Sequence, residues 1–283
     1  QHPTVVTLRA VLEQQFPHGP AEPPAKRRPT GKAVIESPHE PDARFAVKRG
    51  KSWVGYKVQV TETCDADTPH IITDLEPTGA LENDAPQLPR IQKRLRARQV
   101  SPGEQQADQA YISGQNLAES AQRGINLVGT PPADTPAPPG FQQVDFVIDT
   151  ASRQVRCPAG QTQRTWSEAP PDQNGLVYIQ IRFAGATCQA CPFFGRCTTS
   201  QQGRSLTLHP HRSVLLARRA EAETPTFRQR LHLRAGIEAT ISELTRGYGL
   251  RQARYRGLHK QRIQMYFTAV ALNLKRMTRW WAQ

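Results

Sequence analysis

Apolar and polar positions change their spacing several times along this chain, and each change marks an element. Val5-Val6-Thr7-Leu8-Arg9-Ala10-Val11-Leu12 is a short amphipathic run that predicts a helix near the start. A Pro-rich, basic stretch from Gly19 to Pro29 follows, and little order is expected there. Trp53 to Thr61 alternates and is rich in β-branched and aromatic residues, which predicts a strand. Polar residues from Cys64 to Pro69 turn the chain, and His70-Ile71-Ile72-Thr73-Asp74-Leu75 reads as the returning strand of a hairpin. Residues 84–98 predict a helix. Glu104 to Asp108 predicts a short buried strand, residues 113–123 a helix, and Asn126 to Gly129 another strand. Strands followed by a βαβ unit define an α/β pattern.

The texture then changes. Residues 130–140 hold five prolines and form a linker or loop. Residues 141–210 carry short β-like runs, turn residues and four of the five cysteines. Residues 213–283 predict helices. There Ile263, Phe267, Val270, Leu274, Met277 and Trp281 form one apolar helix face, expected to be mostly core packing.

At 283 residues, about 37% of them apolar, the chain can bury a real core in one large domain or two small ones. No stretch approaches the roughly 18 apolar residues of a membrane span. The start, Gln1-His2-Pro3-Thr4, lacks the basic end and apolar run of a secretory signal, so a cytoplasmic location is expected. Without an initiator Met, the chain is expected to be a fragment.

Net charge is +13, and its distribution says more than its total. From Arg204 to Gln283 there are 16 Lys/Arg and 4 Asp/Glu, a net +12. Charge so concentrated suits a polyanion, and DNA or RNA is the commonest. The plainer reading is a solvated surface.

A metal-dependent phosphoryl transferase needs carboxylates that converge on two divalent ions. Asp108 falls where a short strand should end. Glu238 lies on a helix whose buried stripe should be Ile237, Ile241 and Leu244, one turn from Arg234. Taken alone, such an Asp is usually a turn former and such a Glu a surface partner of its Arg.

Ala107-Asp108-Gln109-Ala110-Tyr111 resembles the Asp-x-Gly-Tyr turn of bacterial insertion-sequence DDE transposases, with Ala110 in place of the usual Gly. Arg234 and Glu238 resemble their Arg-x3-Glu signature, although Leu231 stands where some relatives have Tyr. Arg254-Tyr255-Arg256-Gly257-Leu258, Ala271-Leu272-Asn273-Leu274 and Trp53-Val54-Gly55-Tyr56-Lys57-Val58 are similar to further segments of that family. The resemblance runs from about Val5 to Trp281. It implies an α/β fold: an RNase H-like core with a small β-rich insertion, which the cysteine spacing below makes a candidate zinc-binding one, and a helical C-terminus. The implied division is 1–41 (helix and linker), 42–130 (first part of the core), 131–212 (Cys-rich insertion) and 213–283 (helices completing the core).

The activity implied is cleavage of DNA and joining of 3′-hydroxyls to target DNA with Mg²⁺ or Mn²⁺. Asp108 and Glu238 would be the second and third acids. The partners implied are the element's terminal inverted repeats, target DNA and further copies of the chain. Arg234, Arg246, Arg251, Arg254, Arg256, Lys260 and Arg262 are the candidate DNA contacts. The first acid belongs on an earlier strand. Asp42, the only Asp before Trp53, lacks the apolar run that should precede it, so the true first acid is expected upstream of Gln1. Two other readings are a non-enzymatic DNA-binding remnant and an unrelated metal-dependent nuclease. The nuclease fits the acids but not the ordered set of motifs.

Cys157, Cys188, Cys191 and Cys197 have spacings x30, x2 and x5, compatible with a structural zinc site. His209 and His211 are reserve ligands, and Cys64 is expected to be an ordinary buried thiol. The competing reading is four reduced, unligated thiols.

Overall fold

The computed structural model describes residues 2–16, 34–133 and 136–282. The expectation for Gly19 to Pro29 lies outside these residues. The chain is mixed α/β, with small sheets and eight α-helices among the described residues. None of the helices is long and apolar enough to cross a membrane. Two compact units divide it: residues 1–102 with 229–283, and residues 103–228.

In the first unit, helix α1 (Pro3–Gln15) begins on His2, whose ring accepts the Thr4 N–H. It buries no residue. Strands β1 (Arg44–Lys48), β2 (Lys51–Glu62) and β3 (Ile72–Gly79) form an antiparallel meander. Arg49 and Gly50 link the first two strands with both φ angles positive (52° and 75°). That matches the twist of the strands they join. The predicted hairpin is β2–β3, although β3 starts two residues late and continues through Pro77. Its place at the sheet edge tolerates the missing N–H of Pro77.

Helix α2 (Gln87–Ala97) buries Leu88, Ile91, Gln92 and Leu95 on one face and packs against β3. In the second unit, β4 (Glu104–Gln106) and β5 (Asn126–Val128) are parallel, joined through α3 (Gly114–Gln122). Ser113 caps α3 by accepting the Asn116 N–H at 3.0 Å. The predicted βαβ unit is therefore present, although only Gln105 of β4 is buried.

The Cys-rich stretch builds two three-stranded antiparallel sheets. One holds β6 (Val147–Asp149), β7 (Gln154–Arg156) and β8 (Thr162–Gln163). The other holds β9 (Trp166–Glu168), β10 (Ile179–Arg182) and β11 (Ser205–Leu208), with the short helix α4 (Gly185–Gln189) after β10. Phe146, Val155, Ile181, Phe183, Leu206 and Leu208 form their shared core. Helix α5 (Arg212–Ala222) packs on α3, and α6 (Pro225–His232) follows.

Helices α7 (Ala235–Tyr248) and α8 (Leu258–Trp281) complete the first unit. Gly249, at φ 63°, ends α7 in the left-handed conformation that a glycine adopts without strain. Leu244, Met265 and Leu272 pack with Ile72 and Leu75 of β3. The stripe expected on α7 is displaced: Thr240 and Leu244 are its buried positions, whereas Ile237 and Ile241 are half-buried.

The expectation for α8 is corrected more sharply. Phe267, Val270, Leu274 and Trp281 are exposed, at 73%, 54%, 58% and 74%, and Ile263 at 45%. The helix instead buries Gln261, Gln264, Met265 and Leu272. Polar anchors fix this rotation. The Asn273 side-chain amide donates to the Ile72 carbonyl at 2.9 Å and accepts the Ile72 N–H at 2.8 Å. Arg262 and Arg276 reach Glu76 and Glu62 on the strands. Turning the apolar stripe inward would break these contacts and leave Glu62 and Glu76, both nearly buried, without their cations.

Candidate functional site

Asp108 stands two residues beyond β4, in extended conformation. It caps the 3₁₀ turn Gln109–Tyr111, one carboxylate oxygen accepting the Gln109 N–H at 2.7 Å. The backbone beneath it is tight. A Cβ on Gly129 would lie 2.7 Å from the Ala107 carbonyl oxygen and 2.5 Å from the Ile112 side chain. Gly129 thus lets the end of β5 close against the turn that carries Asp108. The Asp108 side chain is exposed, with lone pairs left to bind a cation. It sits at the carboxyl end of a parallel strand pair, where open α/β sheets place their ligands.

Glu238 lies in the first turn of α7, where the helix dipole favours a carboxylate. Its side chain is 69% exposed, and its only ion pair among the described residues, with Arg234, is long at 3.9 Å. Such a pair contributes little, so the carboxylate is available. Asp108 belongs to the 103–228 unit and Glu238 to the other. Among the described residues, no group of three or more His, Cys, Asp or Glu side chains is disposed to hold a metal ion.

Asp42 has a different task. Its carboxylate accepts the Leu258 N–H, while Glu40 accepts the Gly257 N–H at 3.1 Å and the Tyr56 hydroxyl at 3.0 Å. Both acids satisfy donors at the start of α8. Burial, reinforced by Glu40, pushes the Tyr56 hydroxyl well above its ordinary range.

The candidate basic contacts separate into two groups. Arg246, Arg251, Arg254, Arg256 and Lys260 are exposed, on the last turn of α7, the connecting loop and the start of α8. None of these five makes an ion pair among the described residues. Arg262 is committed instead to Glu76, at 2.6 Å, and Arg234 leans toward Glu238.

Sequence reasoning missed the buried ionic network that holds this unit together. Asp74, its side chain fully buried, takes a two-pronged bond from Arg94 at 3.0 and 2.6 Å and another from Arg98 at 2.9 Å. Arg276 bridges Glu62 at 3.0 Å, the Thr240 hydroxyl at 2.6 Å and Glu243 at 3.2 Å. Glu243 also accepts from Lys275 at 2.8 Å. The Lys275 hydrogen bond, joined by Arg276, holds the Glu243 carboxyl below its usual range. The signal available in the sequence was slight: acids inside an apolar strand, and basic residues on the inner face of a helix.

All four cysteines of the β-rich stretch line one pocket, with Phe141, Phe146, Phe183 and Phe193 in its wall. No disulfide joins them, and each is half-buried. Burial pushes the Cys197 thiol up, opposed by the nearby Arg204 guanidinium. The reserve ligands lie outside this pocket's lining. His209 meets the Tyr178 ring edge-on and accepts the His211 N–H at 2.9 Å. Burial and its neighbour His211 lower its pKa. Cys64 is half-buried rather than buried.

Residues 156–278 match the family model described as the transposase DDE domain. The match includes the Cys-rich stretch, Glu238 and the basic loop. No curated protein and no solved structure matches the chain.

Proposed function

Because residues 156–278 match the transposase DDE domain family, we propose that this chain is catalytic machinery for metal-dependent cleavage and joining of DNA at the ends of an insertion sequence. The observation that carries the reading is one of placement. The helix that presents an exposed Glu238 runs directly into a loop of exposed, unpaired cations, Arg251, Arg254 and Arg256. Glu238 and these cations stand at opposite ends of one helix, about 15–20 Å apart at 1.5 Å per residue, so one element carries both a free carboxylate and a phosphate-binding surface, the two kinds of group that phosphoryl transfer uses. Asp108, exposed at the end of β4, supplies a second carboxylate on a rigid strand end.

The donor set fits the metal this family uses. Both carboxylates offer hard oxygen atoms, which suit Mg²⁺ or Mn²⁺ rather than a soft ion. Asp108 in one unit and Glu238 in the other would each offer oxygen ligands to a divalent ion, whose chemistry when bound is to offset charge on the attacking and leaving oxygens. Asp108 keeps a fixed direction through its bond to the Gln109 N–H. Arg234, one turn before Glu238, orients that carboxylate or meets a phosphate. The loop cations bind the DNA backbone without reading its sequence, and so fix its position.

The test is strand cleavage on DNA carrying the element's ends. Asp108→Asn and Glu238→Gln should each abolish cleavage while DNA affinity changes less than about threefold. Near-normal cleavage by either variant removes that residue from the active site. If these ends are bound tightly in Mg²⁺ yet never cut, even with the expected first acid supplied, the reading as a non-enzymatic DNA-binding remnant is the correct one.

A further inference from the structure

We propose that Cys157, Cys188, Cys191 and Cys197 form a structural zinc site that closes the β-rich part of the 103–228 unit. Three separate pieces of backbone deliver the thiols to one pocket. Cys157 follows β7 directly and opens a tight turn closed by the Gly160 N–H on the Cys157 carbonyl at 2.8 Å. Gly160 has φ 82°, a conformation that suits glycine. Cys188 sits on α4, and the Cys191 N–H bonds back to the Cys188 carbonyl at 3.1 Å. Cys197 follows a second tight turn at Gly195, φ 87°, with its N–H on the Phe193 carbonyl at 2.9 Å.

Simple apolar packing accounts for this poorly. The neighbouring core is built from Phe, Val, Ile and Leu, with Cys157, Cys188 and Cys197 packed against its edge, and larger apolar side chains would fill those edge positions more fully. Instead the pocket takes four of the chain's five cysteines. Soft thiolates select zinc over harder divalent ions, and four of them fill a tetrahedral sphere.

Arg204 is the second, independent observation. It lines the same pocket, and its Nε is buried with no hydrogen-bond partner. Its other nitrogens reach only backbone carbonyls, those of Cys197 and Phe141. No carboxylate pairs with it among the described residues. The residue is half-buried with its guanidinium over the Phe146 ring, and a cationic nitrogen buried without a partner is costly. Four thiolates around Zn²⁺ carry a net charge of −2, which is the missing partner. The Arg204 backbone N–H already donates to the Cys188 sulfur at 3.4 Å, the kind of outer bond that stabilises a metal-bound thiolate.

Among the described residues the four thiols do not stand as a closed ligand set. A change of χ1 rotamer moves a cysteine sulfur by on the order of 3 Å, enough to rearrange groups already lining one pocket. Each thiol that ligates gives its proton to solvent, so four thiols and one Zn²⁺ yield the dianionic site and four protons. With four protein ligands no position stays open for substrate, and the role is structural.

The experiment uses the purified 283-residue chain. Elemental analysis should find about one zinc per chain, retained through dialysis. A strong chelator should remove it and lower the melting temperature, and added zinc should restore both. Cobalt in place of zinc should give the absorption of a tetrahedral thiolate complex. Cys191→Ser should lose zinc and Cys64→Ser should keep it. Should Cys191→Ser fail to fold, the cobalt spectrum of the parent chain decides. Metal-free, folded protein with all its thiols reactive and no response to zinc overturns the proposal. So does a mass that shows disulfides among the four cysteines.

Discussion

At the scale of single residues, the ionic side chains divide by what surrounds them. Asp74 has no contact with water and depends on Arg94 and Arg98. Breaking a buried pair strands a charge, which typically costs about 3–5 kcal/mol. Arg94→Ala should therefore destabilise the protein by roughly that amount, read as a shift in the denaturant midpoint. A loss below about 1 kcal/mol would mean that water reaches Asp74. Glu243 gives a dependence on pH. Its folded pKa lies below its ordinary value of 4.5 because Lys275 and Arg276 bond to the charged form. A depressed carboxylate contributes stability above the unfolded pKa and loses it as pH falls through the folded one. Stability should thus decline below pH 4.5, and Glu243→Gln should flatten that part of the curve. An unchanged acid limb in the variant would assign the decline to other carboxylates.

At the scale of elements, α8 has two apolar faces and only one is used. Leu272 is fully buried against β3, and Leu274, two residues on, is 58% exposed. Leu272→Ala should cost about 2–5 kcal/mol. Leu274→Ser should change stability by no more than about 0.5 kcal/mol. Equal losses would show that the exposed face is covered after all. Asn273 explains why the helix cannot roll. Its amide satisfies both backbone groups of Ile72 on the edge strand β3. Asn273→Ala should leave one donor and one acceptor unpaired, at about 1–3 kcal/mol, and Asn273→Asp should fail to replace the amide donor.

At the scale of the whole molecule, the charge excess matters more than its sum. Of the 16 basic residues from Arg204 onward, several are spent inside the fold, among them Arg262 on Glu76 and Arg276 on Glu62. Arg246, Arg251, Arg254, Arg256 and Lys260 remain exposed, with no ion pair among the described residues. If all five meet phosphates, the plot of log K against log salt should have a slope of about −4 to −5. Arg254→Ala should reduce that slope by about one. Arg262→Ala should chiefly reduce stability, because it strands Glu76. A larger effect of Arg262 on the slope than on stability would reverse this division.

The local elements were legible because they rest on local physics. Alternation of side chains gave the β2–β3 hairpin, and turn residues gave the βαβ unit with Asp108 just beyond its first strand. Residue chemistry alone also singled out the four cysteines, but only the packing of β7, α4 and the loop after it gathers them around one pocket. Periodicity shows that a helix has an apolar face and says nothing about competing faces. On α8 the choice was made by Asn273, Arg262 and Arg276, whose partners lie on strands some 190 to 210 positions earlier in the chain. The same holds for Asp74 and Glu76, acids that read as surface residues until Arg94, Arg98 and Arg262 are folded against them. The sequence by itself determined which segments become helix or strand and which residue types are available for chemistry. The tertiary structure decided which charges are neutralised inside and which remain exposed, because burial and pairing depend on neighbours that are distant in the chain.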